Sequence, residues 1–305
     1  MRERAQITLL PDGRRLHLHD GPIDLIVEAF GTAHEVGVAY RAASARFVTI
    51  LDELCSELPM LRQPARAGFP PPAGVIAKRM AAAVAPYGER TFITPMAAVA
   101  GAVAEEILGC MTSAASLARA YVNNGGDIAL HLAPGERFVV GMVERPDRPS
   151  LFGKVELNST QPVRGIATSG WRGRSFSLGI ADAVTVLADC AAMADAAATI
   201  IANAVDLPGH PAITRLPARE LAPDSDLGDR LVTTAVGKLT SFEVRSALRK
   251  GRACAESLVA AGLVAAAALN LQGASCLRSG EIGRASDSAG NLGRPVNVEN
   301  SLAMQ

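Results

Sequence analysis

Between Ser175 and Thr214 the chain has no lysine or arginine, yet Asp182, Asp189, Asp195 and Asp206 all fall inside this stretch. Negative charge there has no local compensation. The chain also lacks GxGxxG and GxxxxGK[ST], which argues against a Rossmann or P-loop nucleotide site, and it lacks the GxSxG of a nucleophile elbow. Its five cysteines, Cys55, Cys110, Cys190, Cys254 and Cys276, are odd in number, scattered and without CxxC or Cys/His ligand spacing. That usage fits reduced cytoplasmic thiols rather than a disulfide framework or a thiolate metal site.

Nor is there excess charge of either sign: formal net charge is zero over 305 residues, which removes the usual electrostatic signature of a nucleic-acid or anionic-membrane partner. With 49% hydrophobic and 20% charged residues the chain can bury a large core. The first residues, "MRERAQITLLPDGRRLHLHD", place charges on both sides of a very short apolar run, so no signal peptide is expected. The apolar segment "SLVAAGLVAAAALNLQG" is too short and alanine-rich for a bilayer span, which takes about 20 residues. The expectation is a soluble, cytoplasmic protein with a small-molecule ligand.

"QITLLPDGRRLHLHDGPIDLIVEAF" alternates apolar and polar residues around a Pro-Asp-Gly turn, predicting β-hairpin structure. His17 and His19 would share one strand face, either as exposed strand residues or as metal ligands. Helical spacing predicts a helix from Tyr40 to Leu61 ended by Pro59, and another starting at Thr94 as N-cap with Pro95 in the first turn. "ARAYVNNGGDIALHL" reads as a helix end turning into a strand, "RFVVGMVER" as a strand, and residues 206–230 as a loop. "LVTTAVGKL" reads as a strand, Phe242 to Leu271 as one or two helices, and the Ser/Gly/Asn/Arg-rich residues 276–305 as a polar tail behind a domain spanning 1–275.

Three constellations could carry chemistry. In "CAAMADAAATIIANAV", Asp195 and Thr199 are four residues apart and share one helix face, flanked by alanines. A carboxylate and a hydroxyl so placed suit a hard cation such as Mg²⁺, whose remaining ligands a substrate phosphate can supply, although single aspartates on helix faces are common. In "NNGGDI", Asn124, Gly125, Gly126 and Asp127 form either a tight turn or a place where backbone can approach a ligand. "RGIATSGWRGRS" gathers Arg164, Arg172 and Arg174 with Thr168, Ser169 and Gly170, the donors, cations and room an anion-binding loop needs. Trp171, the sole tryptophan, suits stacking on a planar ligand or core packing.

Taken in order, "AFGT", "VNNGGDI", "IATSG", "AVTVLA" and "MADAAAT" resemble the ApbE superfamily, whose best-known members are FAD- and Mg²⁺-dependent transferases that attach FMN to a protein hydroxyl. "TPMAAVAGAVAE", "SLGIADAVTV", "DLGDRLVT" and "ALRKG" make the chain more similar to the ApbE-like UPF0280 branch. The resemblance implies an α+β, T-fold-like architecture with antiparallel sheets and small-residue helices, and a homodimer. It also implies Asp195 and Thr199 as Mg²⁺ ligands. The Gly125–Gly126 turn and the Thr168-Ser169-Gly170 loop, with Asn124, Asp127, Arg172 and Arg174, would then hold FAD or another flavin nucleotide. Two departures stand out: the histidine-containing stretch after the Thr-Ser-Gly loop is replaced by "RSFSLGI", and Ala100 stands where a lysine would align. They leave room for a metabolic enzyme with a non-flavin substrate, using Ser175 or Ser177, or for a non-catalytic flavin- or partner-binding protein.

Overall fold

The computed structural model describes residues 4–68, 70–143 and 151–280. Nine strands form one antiparallel sheet in the order β1 (Gln6–Leu9), β2 (Leu16–Asp20), β3 (Ile23–Phe30), β4 (Arg119–Asn124), β5 (Asp127–Leu132), β8 (Gly165–Ser169), β9 (Ala183–Ala188), β12 (Ala266–Leu271) and β13 (Ala274–Ser279). The alternating opening sequence forms its first three strands, as predicted. β2 buries Leu16, Leu18 and Asp20 and turns His17 and His19 to the opposite face. A slip of one residue would expose those leucines, so burial sets the register.

Among the described residues six α-helices accompany the strands: α1 (Ala33–Leu61), α2 (Val75–Val84), α3 (Val99–Ala114, after a 3-10 turn at Pro95–Ala98), α4 (Ala191–Ala204), the short α5 (Ala218–Leu221) and α6 (Ser241–Ala260). Phe47 and Ile50 of α1, Ile107 and Met111 of α3, Ile201 of α4 and Leu248 of α6 share one core with Leu25, Val122, Val184 and Leu269 of the sheet. The other face is covered in part by the hairpin of β6 (Arg137–Val143) and β7 (Leu151–Asn158), whose Val140 and Leu157 pack with Tyr121, Ile128, Leu130 and Ile166. Strands β10 (Ile213–Pro217) and β11 (Leu231–Val236) pair in a small separate sheet. This is the expected α+β layering: antiparallel sheet with helices gathered on one face. The segment Pro95–Ala114 is long and apolar enough to cross a bilayer, but α3 within it packs into the core.

Several predicted elements need correction. "ARAYVNN" is strand β4, because its alternate residues Ala120 and Val122 are needed in the core between β3 and β5. α6 stops at Ala260, and the alanine-rich Ala266–Leu271 is an interior strand paired on both sides, where tertiary packing overrides the helical propensity of alanine. α1 starts at Ala33, capped by Thr32, and Pro59 lies inside its last turn rather than beyond it. Thr94 makes no side-chain cap; its hydroxyl instead donates to Asp226. The stretch 206–230 holds β10 and α5. Strand β13 runs on to Ser279 by pairing with β12, so the domain extends past 275, and the remainder of the predicted tail, 281–305, lies outside the described residues.

Candidate functional site

Two alanine-rich helices cross where the candidate site forms. At Gly101 a Cβ would collide with the Ala191 carbonyl, so α3 and α4 approach as closely as backbones allow. Neither helix has a side-chain cap of its own: α3 starts after Ala98 and α4 after Cys190. Each borrows one from the other. Asp195 Oδ2 accepts the Gly101 N–H at 3.1 Å, and Glu105 Oε1 accepts the Ala192 N–H at 2.6 Å. A carboxylate at each N-terminus meets orphan donors and the positive end of the helix dipole.

The "NNGGDI" segment is the turn between β4 and β5, with Gly125 at φ 65° and Gly126 at φ 113°, backbone that side chains other than glycine seldom adopt. Asn123 Oδ1 accepts the Gly126 N–H at 2.8 Å, and Asn124 Nδ2 donates to the Ala100 carbonyl at 3.1 Å, tying the turn to the start of α3. Asp127 Oδ1 accepts the Thr168 N–H at 3.2 Å, while the Thr168 and Thr185 hydroxyls meet at 2.9 Å. The guanidinium of Arg174 lies against Gly125, in space that a side chain there would fill. The structure therefore brings Asn124, Gly125, Gly126, Asp127, Thr168 and Arg174 together with Asp195. Thr199 sits one turn further along α4, half-buried.

The two carboxylates work against each other. Burial pushes Asp127 up to about 7, against the pull of the Thr168 N–H and the Arg174 charge. Burial also raises Asp195 well above the usual carboxylate range, the charge of Asp127 adds to it, and the N–H groups of Gly101 and Ala100 oppose it. Other buried acids are neutralised by arginine: Asp20 by Arg4 at 2.7 Å, Glu106 by Arg46 at 2.7 Å and by Arg79, and Asp182 by Arg172 at 2.6 Å. Asp195 is met by backbone N–H groups. The oxygen donors of Asp127, Asp195 and Thr199 are of the kind that hard divalent cations take.

The third loop divides. Gly170 presses on the carbonyls of Ala181 and Asp182, where a Cβ would be too close, and Ser169 ends β8 beside it. Arg172, expected at the ligand, turns to Asp182 instead, with its guanidinium 4.4 Å from the centre of the Trp171 ring. Trp171 thus stacks with an arginine and donates to Asp182 at 3.2 Å. Arg164 spends its guanidinium on the carbonyls of Gln161, Val163 and Ser159, a local structural role. Ser177 is buried, its hydroxyl held by Asn203 at 3.2 Å, whereas Ser175 is exposed. The uncompensated charge inferred for 175–214 is corrected at two positions, since Asp182 and Asp206 are paired with Arg172 and Arg215 from outside the stretch.

Sequence reasoning missed Gln272. With Lys238 and Gly273 it lines a cavity of about 480 Å³ beside Arg172 and Asp182. Its backbone is left-handed at φ 46°, and three hydrogen bonds hold it: N–H to Asp182 at 2.6 Å, Nε2 to the Gly237 carbonyl at 2.7 Å, and Oε1 from the Leu239 N–H at 3.1 Å. The "QG" pair as a two-residue hairpin turn was the available signal.

The class is defined by an antiparallel α+β fold in which Asp127, Thr168 and Asp195 meet where two small-residue helices cross. A family model described as AbpE bacteria matches residues 7–279, and the chain belongs to that family. A UPF0280 protein of Methanopyrus kandleri is 42% identical over 129 residues, covering 42% of this chain and 48% of that protein. One of Methanococcoides burtonii is 39% identical over 137 residues, covering 44% and 54%. The chain spans about half the length of the curated relatives it matches. The crystal structure of the ApbE protein of Thermotoga maritima aligns over 93% of this chain and 100% of that one, with TM-score 0.50 and 12% identity, a likeness of fold. The ApbE-like, UPF0280 kinship expected from the motifs is borne out.

Proposed function

We propose that this chain is a cytoplasmic, Mg²⁺-dependent protein that binds a flavin-type nucleotide and transfers its FMN part from FAD to a protein hydroxyl. The observation that carries the reading is the meeting of Asp127, held by the Thr168 N–H with Arg174 nearby, and Asp195, whose ionisation the charge of Asp127 opposes and which backbone N–H groups rather than an arginine meet. Asp195 with Thr199, and Asp127 beside them, would hold the cation. Arg174, which lies against Gly125, and the turn backbone at Gly126, which is open to close approach, would receive phosphate oxygens. Thr168 and Ser169 would orient the ligand from the end of β8. When bound, Mg²⁺ would supply charge neutralisation of the pyrophosphate and polarisation of the P–O bond. The five free cysteines suit a reducing compartment.

The test is incubation of the purified chain with FAD, Mg²⁺ and a candidate acceptor protein, with mass spectrometry for an added FMN. FAD binding that needs Mg²⁺ and weakens in Asp195→Asn supports the site, and an FMN adduct on the acceptor supports the transfer. Stabilisation by a non-flavin phosphorylated metabolite and none by FAD would replace this reading with a metabolic enzyme on the same fold.

A further inference from the structure

On the sheet face away from α1, β2 and β3 bring three metal-ligating side chains together. His17 and His19 lie two residues apart on β2, and His19 stands opposite Asp24 in the register of β2 with β3. Their ligand atoms all lie within 4.8 Å of one another, and His17 Nε2 is already hydrogen-bonded to Asp24 Oδ1 at 2.6 Å. The two imidazoles are tilted at 37° with ring centroids 6.2 Å apart, so they converge without stacking.

We propose that His17, His19 and Asp24 form a Zn²⁺ site, separate from the Asp127–Asp195 site and independent of the function assigned to it. Two imidazoles and one carboxylate are a donor set that Zn²⁺ accepts, with water in the fourth position. Ligand atoms around a tetrahedral Zn²⁺ with bonds of about 2.0 Å are roughly 3.3 Å apart, so the present spread closes by about 1.5 Å at most, within reach of side-chain torsions. The backbone beneath does not need to move. Leu16, Leu18 and Leu25 are buried under the same strands and lock their register, and β2 is flanked by β1 and β3, so the site rests on rigid elements. The three side chains are half-exposed, which gives the ion a path in and leaves the core untouched if they are replaced. Zn²⁺ here would clip β2 to β3 and displace the His17–Asp24 hydrogen bond.

The experiment titrates the metal-free full chain with Zn²⁺ against a chromophoric chelator and repeats the titration with Co²⁺, whose visible absorption reports a tetrahedral nitrogen and oxygen environment. One equivalent bound by the wild type, with affinity weakened at least about tenfold in the double variant His17→Ala/His19→Ala and in Asp24→Asn, is the expected result. Asp195→Asn should bind Zn²⁺ as the wild type does. Thermal unfolding of the metal-free variants should match the wild type; if the double variant does not fold, Asp24→Asn, which changes little volume, decides. Wild-type protein that takes no Zn²⁺, or variants that bind it with unchanged affinity and unchanged Co²⁺ spectrum, would overturn the assignment.

Discussion

Replacing Asp195 by asparagine should stabilise the metal-free protein at neutral and higher pH while removing its response to Mg²⁺. Burial lifts Asp127 from its ordinary 3.8 to about 7, and burial together with the charge of Asp127 lifts Asp195 well above the carboxylate range. A carboxyl raised in the folded state holds a proton that the unfolded chain has already lost between about pH 4 and pH 7, so stability falls as pH rises through that window. Asparagine at 195 removes one of the two charges but keeps an oxygen to accept the Gly101 N–H. Relief of the repulsion that Asp127 exerts on Asp195 should raise Tm by a few degrees, at about 2–4 °C per kcal/mol. In the wild type, Mg²⁺ at about a hundred times its Kd should restore roughly 2.7 kcal/mol. The assay is thermal unfolding from about pH 5 to pH 8, with a chelator or with Mg²⁺. A variant less stable than wild type at the alkaline end in chelator, or equally stabilised by Mg²⁺, would refute the reasoning.

Two further substitutions test the packing around the site, and a third is a control away from it. Gly101→Ala drives a methyl into the Ala191 carbonyl, and because backbone rather than a flexible side chain must give way, a loss of about 3 kcal/mol is expected in denaturant unfolding. Gly125→Ala meets the flexible head of Arg174 and a left-handed φ; it should cost only about 1 kcal/mol, yet displace Arg174 and weaken binding of a phosphorylated ligand, read by calorimetry. Thr240→Ala breaks the reciprocal capping box with Glu243 at the start of α6, and should cost about 1 kcal/mol of stability without changing ligand or metal binding.

Local patterns reached as far as local physics decides. The Pro-Asp-Gly turn and the strict alternation in β2 made the first three strands readable, because one face had to be apolar. Alanine was read correctly in one place and not in the other: "MADAAATIIANA" lies in the helix its sequence predicted, whereas "AAALNL", expected within a helix, is a strand because β9 and β13 pair with it on both sides. In the candidate site, Asn124 to Asp127, Thr168, Arg174 and Asp195 were each legible as chemistry-bearing residues. Their meeting was not, since it depends on Asn124 reaching the Ala100 carbonyl and Asp127 reaching the Thr168 N–H across separate elements. The pairing of Arg172 with Asp182 was not legible either, since sequence distance gives no measure of which acid an arginine meets.

An aspartate in an alanine helix has one sufficient structural explanation, which a metal role must exceed. Asp195 caps α3 as Glu105 caps α4, and a reciprocal cap between two closely packed helices would be reason enough to keep both acids. The two roles make different demands. A cap needs an acceptor oxygen, which asparagine also offers, and gains from negative charge; cation binding needs the charge itself. If Asp195 served only as a cap, a second carboxylate placed to oppose its ionisation would be a handicap, yet Asp127 does so. Hence the variants should separate. Asp195→Ala loses the cap and should destabilise by about 1 kcal/mol relative to Asp195→Asn at every pH, while both lose the Mg²⁺ response equally. Retention of that response in Asp195→Asn would reduce Asp195 to a cap and move the cation site elsewhere.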